Sequence, residues 1–138
     1  MMKTKNLGNL GENIAEKYLE RRGWRIISNN FSSRGGEIDL IGYRFGVLAY
    51  FEVKTRTNEP FGRGLDAVDQ RKIQRIRETA RVFRETYGKF GKIPVFYPFG
   101  IEKMRPIKKE RIDVIEIYLS REGKLRELNH IKDCGTQL

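Results

Sequence analysis

The stretch that most restricts what this chain can become is Gly35–Arg56, GGEIDLIGYRFGVLAYFEVKTR. It holds two short strand-like runs, Glu37–Tyr43 and Val47–Thr55, parted by a turn at Arg44-Phe45-Gly46. Side chains along a strand alternate between its faces. Ile38 and Leu40 should therefore point one way, and Glu37, Asp39 and Ile41 the other. In the second run Ala49, Phe51 and Val53 share an apolar face, opposite Tyr50, Glu52 and Lys54. A hairpin that joins the apolar faces brings Asp39, Glu52 and Lys54 onto a common surface. Charges in mid-strand are unfavourable unless paired or metal-bound, so this surface asks for a chemical reason.

A chain of 138 residues is long enough for one real core, and a single domain spanning residues 1–138 is expected, its tail from Ser120 onward the least regular part. A hydrophobic content of 38% argues against wholesale disorder. The net charge of +10 favours polyanionic partners, nucleic acid above all. The single cysteine, Cys134, and single histidine, His130, exclude an intrachain disulfide, zinc fingers and His-based triads. MMKTKN lacks the apolar core of a signal peptide, and the apolar run Val47–Phe51 is far too short for a membrane span. The expectation is a cytoplasmic protein with no membrane contact.

Around the hairpin, Leu7–Arg22 reads as an amphipathic helix with Leu7, Leu10, Ile14 and Tyr18 on one stripe and Gly23 as its stop. Glu12 borders that stripe, and pattern alone makes it a solvated helix glutamate. Trp24–Ser28 reads as a first strand and Asn29-Asn30 as a turn. Thr57–Gly64 reads as a loop, and Asp66–Tyr87 as a long helix carrying Ile73, Ile76, Ala80 and Phe83 on its apolar stripe. Lys72 lies at the edge of that stripe, and Arg71, Arg75, Arg77, Arg81 and Arg84 make the rest of the helix strongly positive. Ile93–Phe99 suggests an edge strand bounded by prolines, Ile101–Glu110 an irregular charged segment, and Arg111–Leu119 a further strand. The tail from Leu125 is expected to form a short strand or helix.

Hard divalent cations take oxygen ligands and often use only one or two protein carboxylates. Asp39 and Glu52 supply two, and the backbone carbonyl of Val53 a third oxygen. Such an ion activates water and stabilises charge developing on a phosphodiester. Lys54, flanked by carboxylates that favour its charged form, suits orientation of the attacking water or charge stabilisation better than general-base chemistry. On spacing alone, however, the pattern favours an ordinary hairpin with a solvent-facing charge cluster.

A resemblance shifts that balance. Through GENIAEKYLERRGW (Gly11–Trp24), GGEIDLI (Gly35–Ile41), YFEVKTR (Tyr50–Arg56), the Lys72 region and RIDVIEI (Arg111–Ile117), the chain resembles the YraN family. These small bacterial proteins are similar to archaeal Holliday-junction resolvases and are placed in the PD-(D/E)XK nuclease superfamily. The resemblance implies an α/β, restriction-endonuclease-like core, with a mixed central β-sheet flanked by helices in the order α-β-β-β-α-β-β. It makes Asp39 the metal-binding aspartate, Glu52 and Lys54 the (D/E)xK pair, Glu12 an auxiliary metal ligand and Lys72 a basic helix position near the site. A Mg²⁺- or Mn²⁺-dependent endonuclease acting on DNA, including branched or flapped DNA, is the first expectation. Lys72, Arg71, Arg75, Arg56 and Arg34 are then nucleic-acid contacts, with the Arg-rich helix and Lys103–Arg111 gripping the backbone. Homodimerisation is expected by analogy with resolvases. The competing expectations are a nucleic-acid-binding module of the same fold that does not cut, and a protein-interaction subunit.

Overall fold

Val47–Phe51 is apolar on both of its faces, and a strand of that kind belongs in the middle of a sheet with both sides covered. The computed structural model, which describes residues 3–57 and 69–135, places it there. The elements run α1 (Thr4–Arg21), β1 (Arg25–Ser33), β2 (Gly36–Arg44), β3 (Val47–Arg56), α2 (Gln70–Tyr87), β4 (Lys92–Tyr97), β5 (Ile101–Pro106), β6 (Lys109–Leu119) and β7 (Leu125–Ile131). The main sheet has the order β1-β2-β3-β6-β7. Its β3–β6 pair is parallel and its other pairs are antiparallel, so the sheet is mixed. A parallel pair needs a long crossover, and here it passes through α2 and a separate β4–β5 hairpin.

Each face of the sheet buries its own core. Helix α1 brings Leu7, Ala15 and Leu19 onto Leu40, Ala49, Phe51, Ile115 and Ile117. Helix α2 and β4 bring Ile73, Ile76, Phe83 and Val95 onto Ile41, Leu48, Tyr50 and Ile112. The strand parity read for β3 therefore holds, with Ala49 and Phe51 on one side and Leu48 and Tyr50 on the other. Gly23, at φ 89°, ends α1 in the left-handed conformation that glycine adopts without penalty. The β2–β3 turn places both Phe45 (φ 47°) and Gly46 (φ 83°) at positive φ, as a type I′ hairpin requires.

The fold departs from the sequence expectation at several points. Asn29-Asn30 is no turn: β1 runs on to Ser33 with a register shift between Ile26 and Ser28, because pairing with β2 outweighs local turn preference. Ile38 and Leu40 do not share a face; Ile38 packs on the α2 side and Leu40 on the α1 side. Ile101–Glu110 forms β5 and the start of β6, and with β7 the observed order carries two strands more than the expected α-β-β-β-α-β-β. An outer hairpin strand with both faces largely exposed shows no apolar alternation, and β5 gives none. The tail forms β7 beside β6. Of the expected Thr57–Gly64 loop all but Thr57, and of the long helix Asp66–Val68, lie outside the described residues.

Helix α1 meets β3 unusually closely at Gly11, where an added Cβ would overlap the Thr55 hydroxyl. That contact sets the depth at which the next residue, Glu12, meets the sheet. In an ordinary helix interior, Gly→Ala stabilises by about 1 kcal/mol. Here Gly11→Ala is expected instead to lower stability by about 1–3 kcal/mol through overpacking. Thr55→Ala should recover part of the loss, which urea unfolding of the two single variants and the double variant will show.

Candidate functional site

The ladder between β2 and β3 runs from Arg44–Val47 to Leu40–Phe51 and stops there. Beyond Leu40 the strands part, and the Val53 amide, which would otherwise face an absent neighbour, donates to Asp39 Oδ2 at 2.7 Å. The N–H and C=O of one strand residue point to the same edge, so the Val53 carbonyl faces the same gap as Asp39. Strand alternation turns Glu52 and Lys54 to the α2 side. There Lys72 Nζ lies 2.7 Å from Glu52 Oε2. That oxygen is buried and has no well-directed hydrogen bond, so the contact is chiefly electrostatic.

The charges press on one another. Burial, and then the neighbouring Glu52 carboxylate, push the Asp39 carboxyl up to about 7, against the lowering effect of the Val53 amide and Lys72. Burial also raises Glu12, and the Asp39 and Glu37 carboxylates raise it further. Burial and then the Lys72 ammonium lower Lys54. Lys72 itself is raised: burial works against its charge, but Glu52 and Asp39 more than offset this.

The structure thus brings Asp39, Glu52, Lys54 and Lys72 together, with Glu12 at electrostatic range. Among the described residues, no three His, Cys, Asp or Glu side chains converge closely enough to form a metal cage. Glu12 consequently stands outside the close Asp39–Glu52 pair. Two carboxylates and a carbonyl suit a hard cation that keeps most of its waters, and a carboxyl that retains its proton near neutrality marks a place where one more positive charge is welcome.

Of the expected nucleic-acid contacts, Arg34, Lys72 and Arg75 line one cavity of about 450 Å³ beside the gap, floored by Gly35 and Gly36. Arg71 is exposed at the start of α2, its amide bound to Asp69. Arg56 is engaged by Glu116 at 3.3 Å. Farther along α2 the positive face is partly committed: Arg77 donates to Gln74, Arg81 pairs with Glu85, and Arg84 makes two bonds to Glu110.

Glu116 escaped the sequence reading. It is buried and stands in register with Lys54 on the neighbouring strand, where it binds Arg56 and Asn129. Asp113, equally buried, binds Arg111, His130 Nε2 and the Asp133 amide, while Tyr18 bonds the other nitrogen of His130. Two acids inside the apolar run of β6 were the available signal.

Fold and site together define an α/β protein whose mixed sheet opens at one end onto a carboxylate–lysine cluster. The chain belongs to the uncharacterised protein family UPF0102, the YraN family, which matches residues 11–117. It is 34% identical over 127 residues to the UPF0102 protein of Alkaliphilus metalliredigens, covering 92% of this chain and 97% of that one. With the UPF0102 protein of Caldanaerobacter subterraneus it shares 36% identity over 128 residues, 92% of each chain. The matched region opens at Gly11, the start of the Glu12 motif, and closes at Ile117, the end of RIDVIEI. Among the described residues no helix is long and apolar enough to cross a membrane.

The raised Asp39 carboxyl has a stability consequence. Between the unfolded value near 4 and the folded value of about 7, the native state holds the extra proton, so stability falls as pH rises through that window. In chelator-treated protein, Asp39→Asn should gain on wild type progressively from pH 4 to pH 8. Paired thermal melts will show the gap, and a gap independent of pH would refute the assignment.

Proposed function

We propose that this protein is a metal-dependent nuclease with a restriction-endonuclease-like core, hydrolysing phosphodiester bonds in DNA. One observation carries the reading: the sheet parts at Asp39, and the gap holds Asp39, Glu52 and the Val53 edge, with Lys54 and Lys72 beside it. A buried cluster of this composition is a poor way to stabilise a fold and a good way to handle a phosphodiester. The solvent-facing charge cluster that spacing favoured does not describe it, since Glu52 is buried and Asp39 half-buried.

Asp39, Glu52 and the Val53 carbonyl would hold Mg²⁺ or Mn²⁺, with Glu12 as an outer partner reached through water. The ion supplies charge neutralisation at the phosphate and a more acidic bound water. Lys54, its pKa drawn down by burial and by Lys72, stands two residues beyond Glu52 and on the same face. It orients the attacking water and can give or take a proton at Nζ more readily than an exposed lysine. Lys72, Arg75 and Arg34 receive the phosphates in the adjoining cavity. Branched or flapped DNA fits the family's likeness to resolvases, and a homodimer would follow the same analogy.

The test is incubation of labelled single-stranded, duplex and four-way DNA with Mg²⁺ or Mn²⁺. Wild type is expected to cut at least one form, and Asp39→Ala and Lys54→Ala to slow cutting by about 10²–10³-fold, the usual loss for an electrostatic catalytic group. Salt-sensitive binding without metal-dependent product on any form would replace this reading with the non-cutting module.

A further inference from the structure

A second cleft lies at the other end of the β2–β3 pair. It has a volume of about 550 Å³, and Arg25, Arg44, Arg105 and Lys108 line it together with Tyr97 and Phe45; no carboxylate does. Several other cations are tied to acids, as in Lys72–Glu52, Arg84–Glu110, Lys109–Asp133 and Arg111–Asp113. Arg25, Arg44, Arg105 and Lys108 have no acidic partner among the described residues.

They are nevertheless held in place. The guanidiniums of Arg25 and Arg105 stand 4.9 and 5.3 Å from the centroid of the same Tyr97 ring, and Arg105 Nε donates to the Tyr97 hydroxyl at 2.9 Å. Arg44 lies 4.6 Å over Trp24 and donates to the Arg22 carbonyl at 2.8 Å. Like charges gathered on one aromatic ring repel, and an anion between them removes that penalty. Phe45, 91% exposed, occupies a left-handed turn position that Asn or Gly would fill with less strain. An exposed aromatic beside converging cations is the pairing that single-stranded nucleic acid uses, base on ring and phosphate on guanidinium.

Strand β1 joins the two clefts along the sheet edge. Arg25 at its start lines the second cleft, and Ser32 and Ser33 at its end line the cavity beside the carboxylates. The strand rises by about 3.3 Å per residue, giving a separation of roughly 26 Å, or about eight nucleotide steps of about 3.4 Å. No acid occurs within β1. We propose that this cleft is a second nucleic-acid contact, which grips the phosphate backbone and stacks a base of a strand extending from the carboxylate site. The inference rests on the nuclease reading and adds where the rest of the substrate goes.

Binding of labelled single strands of about six and about twenty nucleotides, measured in chelator across a salt series, tests it. The triple variant Arg25→Gln/Arg105→Gln/Lys108→Gln, checked for folding by circular dichroism, should bind the longer strand at least about tenfold more weakly. Its salt slope should fall by about 0.7 for each phosphate that the variant no longer neutralises, and its binding of the shorter strand through the carboxylate-side cavity should be unchanged. Phe45→Asn should weaken the longer strand at least about fivefold, as loss of one stacked base does. Trp24, the one tryptophan of the chain, is stacked by Arg44 and gives an emission signal local to this cleft.

Unchanged affinity and slope for the longer strand in the triple variant would overturn the proposal. So would a Trp24 response to inorganic phosphate as strong as that to the oligonucleotide, which would define a small-anion site. If Lys72→Gln/Arg75→Gln weakens both strands while the triple variant changes nothing, the second contact falls alone. If wild type binds neither strand at low salt, both readings fall.

Discussion

Where β2 leaves β3, the amide of Val53 loses the partner a continuing ladder would have given it, and the Asp39 carboxylate accepts its hydrogen bond at 2.7 Å. Much of the molecule is arranged to make that substitution possible. A backbone amide left unpaired in a half-buried strand would be unfavourable by about 1–3 kcal/mol, so the separation needs an acceptor, and a short aspartate on the departing strand reaches it. The same bond turns the Val53 edge towards a gap that α1 approaches through Glu12 and α2 through Lys72. The close seat of Gly11 on Thr55 and the burial of Ile73 and Ile76 hold the two helices to that geometry.

This junction also explains what the sequence did and did not disclose. Period-two alternation gives the right faces for Ala49, Phe51, Tyr50 and Glu52, because β3 is a straight, doubly covered strand whose pattern is not disturbed. It fails at Ile38 and Leu40, which join the cores on opposite sides of the sheet. Asp39 was visible as a charge in mid-strand; its bond to Val53 was not, because nothing local says where a ladder ends. The β4–β5 hairpin was hidden for the opposite reason. Being largely exposed, β5 has no buried face to impose a pattern on Ile101–Pro106. The acids of β6 were legible as interruptions of an apolar run, but their partners, Arg56 for Glu116 and His130 for Asp113, lie on other strands and are fixed only by sheet order.

The net charge of +10 likewise has an internal structure. Several of the 28 basic side chains are paired with acids, Arg111 with Asp113, Arg56 with Glu116 and Arg84 with Glu110. Asp113 is held below its ordinary value by His130, the Asp133 amide and Arg111 although burial acts the other way, so that network is a satisfied structural one. Among the basic side chains without an acidic partner, two groups line concave surfaces. One is Arg34 and Arg75, and the other is Arg25, Arg44, Arg105 and Lys108. A basic composition alone is a statement about solubility and non-specific attraction; basic side chains that line the same concave surface are a more specific feature, because their fields add there.

The resting electrostatics of the gap follow from counting its partners. Glu52 has Lys72 at 2.7 Å, whereas Asp39 has the Val53 amide and, near neutral pH, a proton of its own. Lys54 is held less firmly charged than an exposed lysine, first by burial and then because Lys72 repels it more than Glu52 attracts it. A divalent cation entering this gap would replace the proton on Asp39 and the ammonium beside Glu52. Affinity should then rise with pH through the Asp39 titration and be opposed by Lys72. Displacement would also free that ammonium within the cavity that Lys72 lines together with Arg34 and Arg75. One lysine would thus serve the fold in the absence of an ion and the substrate in its presence, which gives a physical reason for a charged residue at the edge of an otherwise apolar helix stripe.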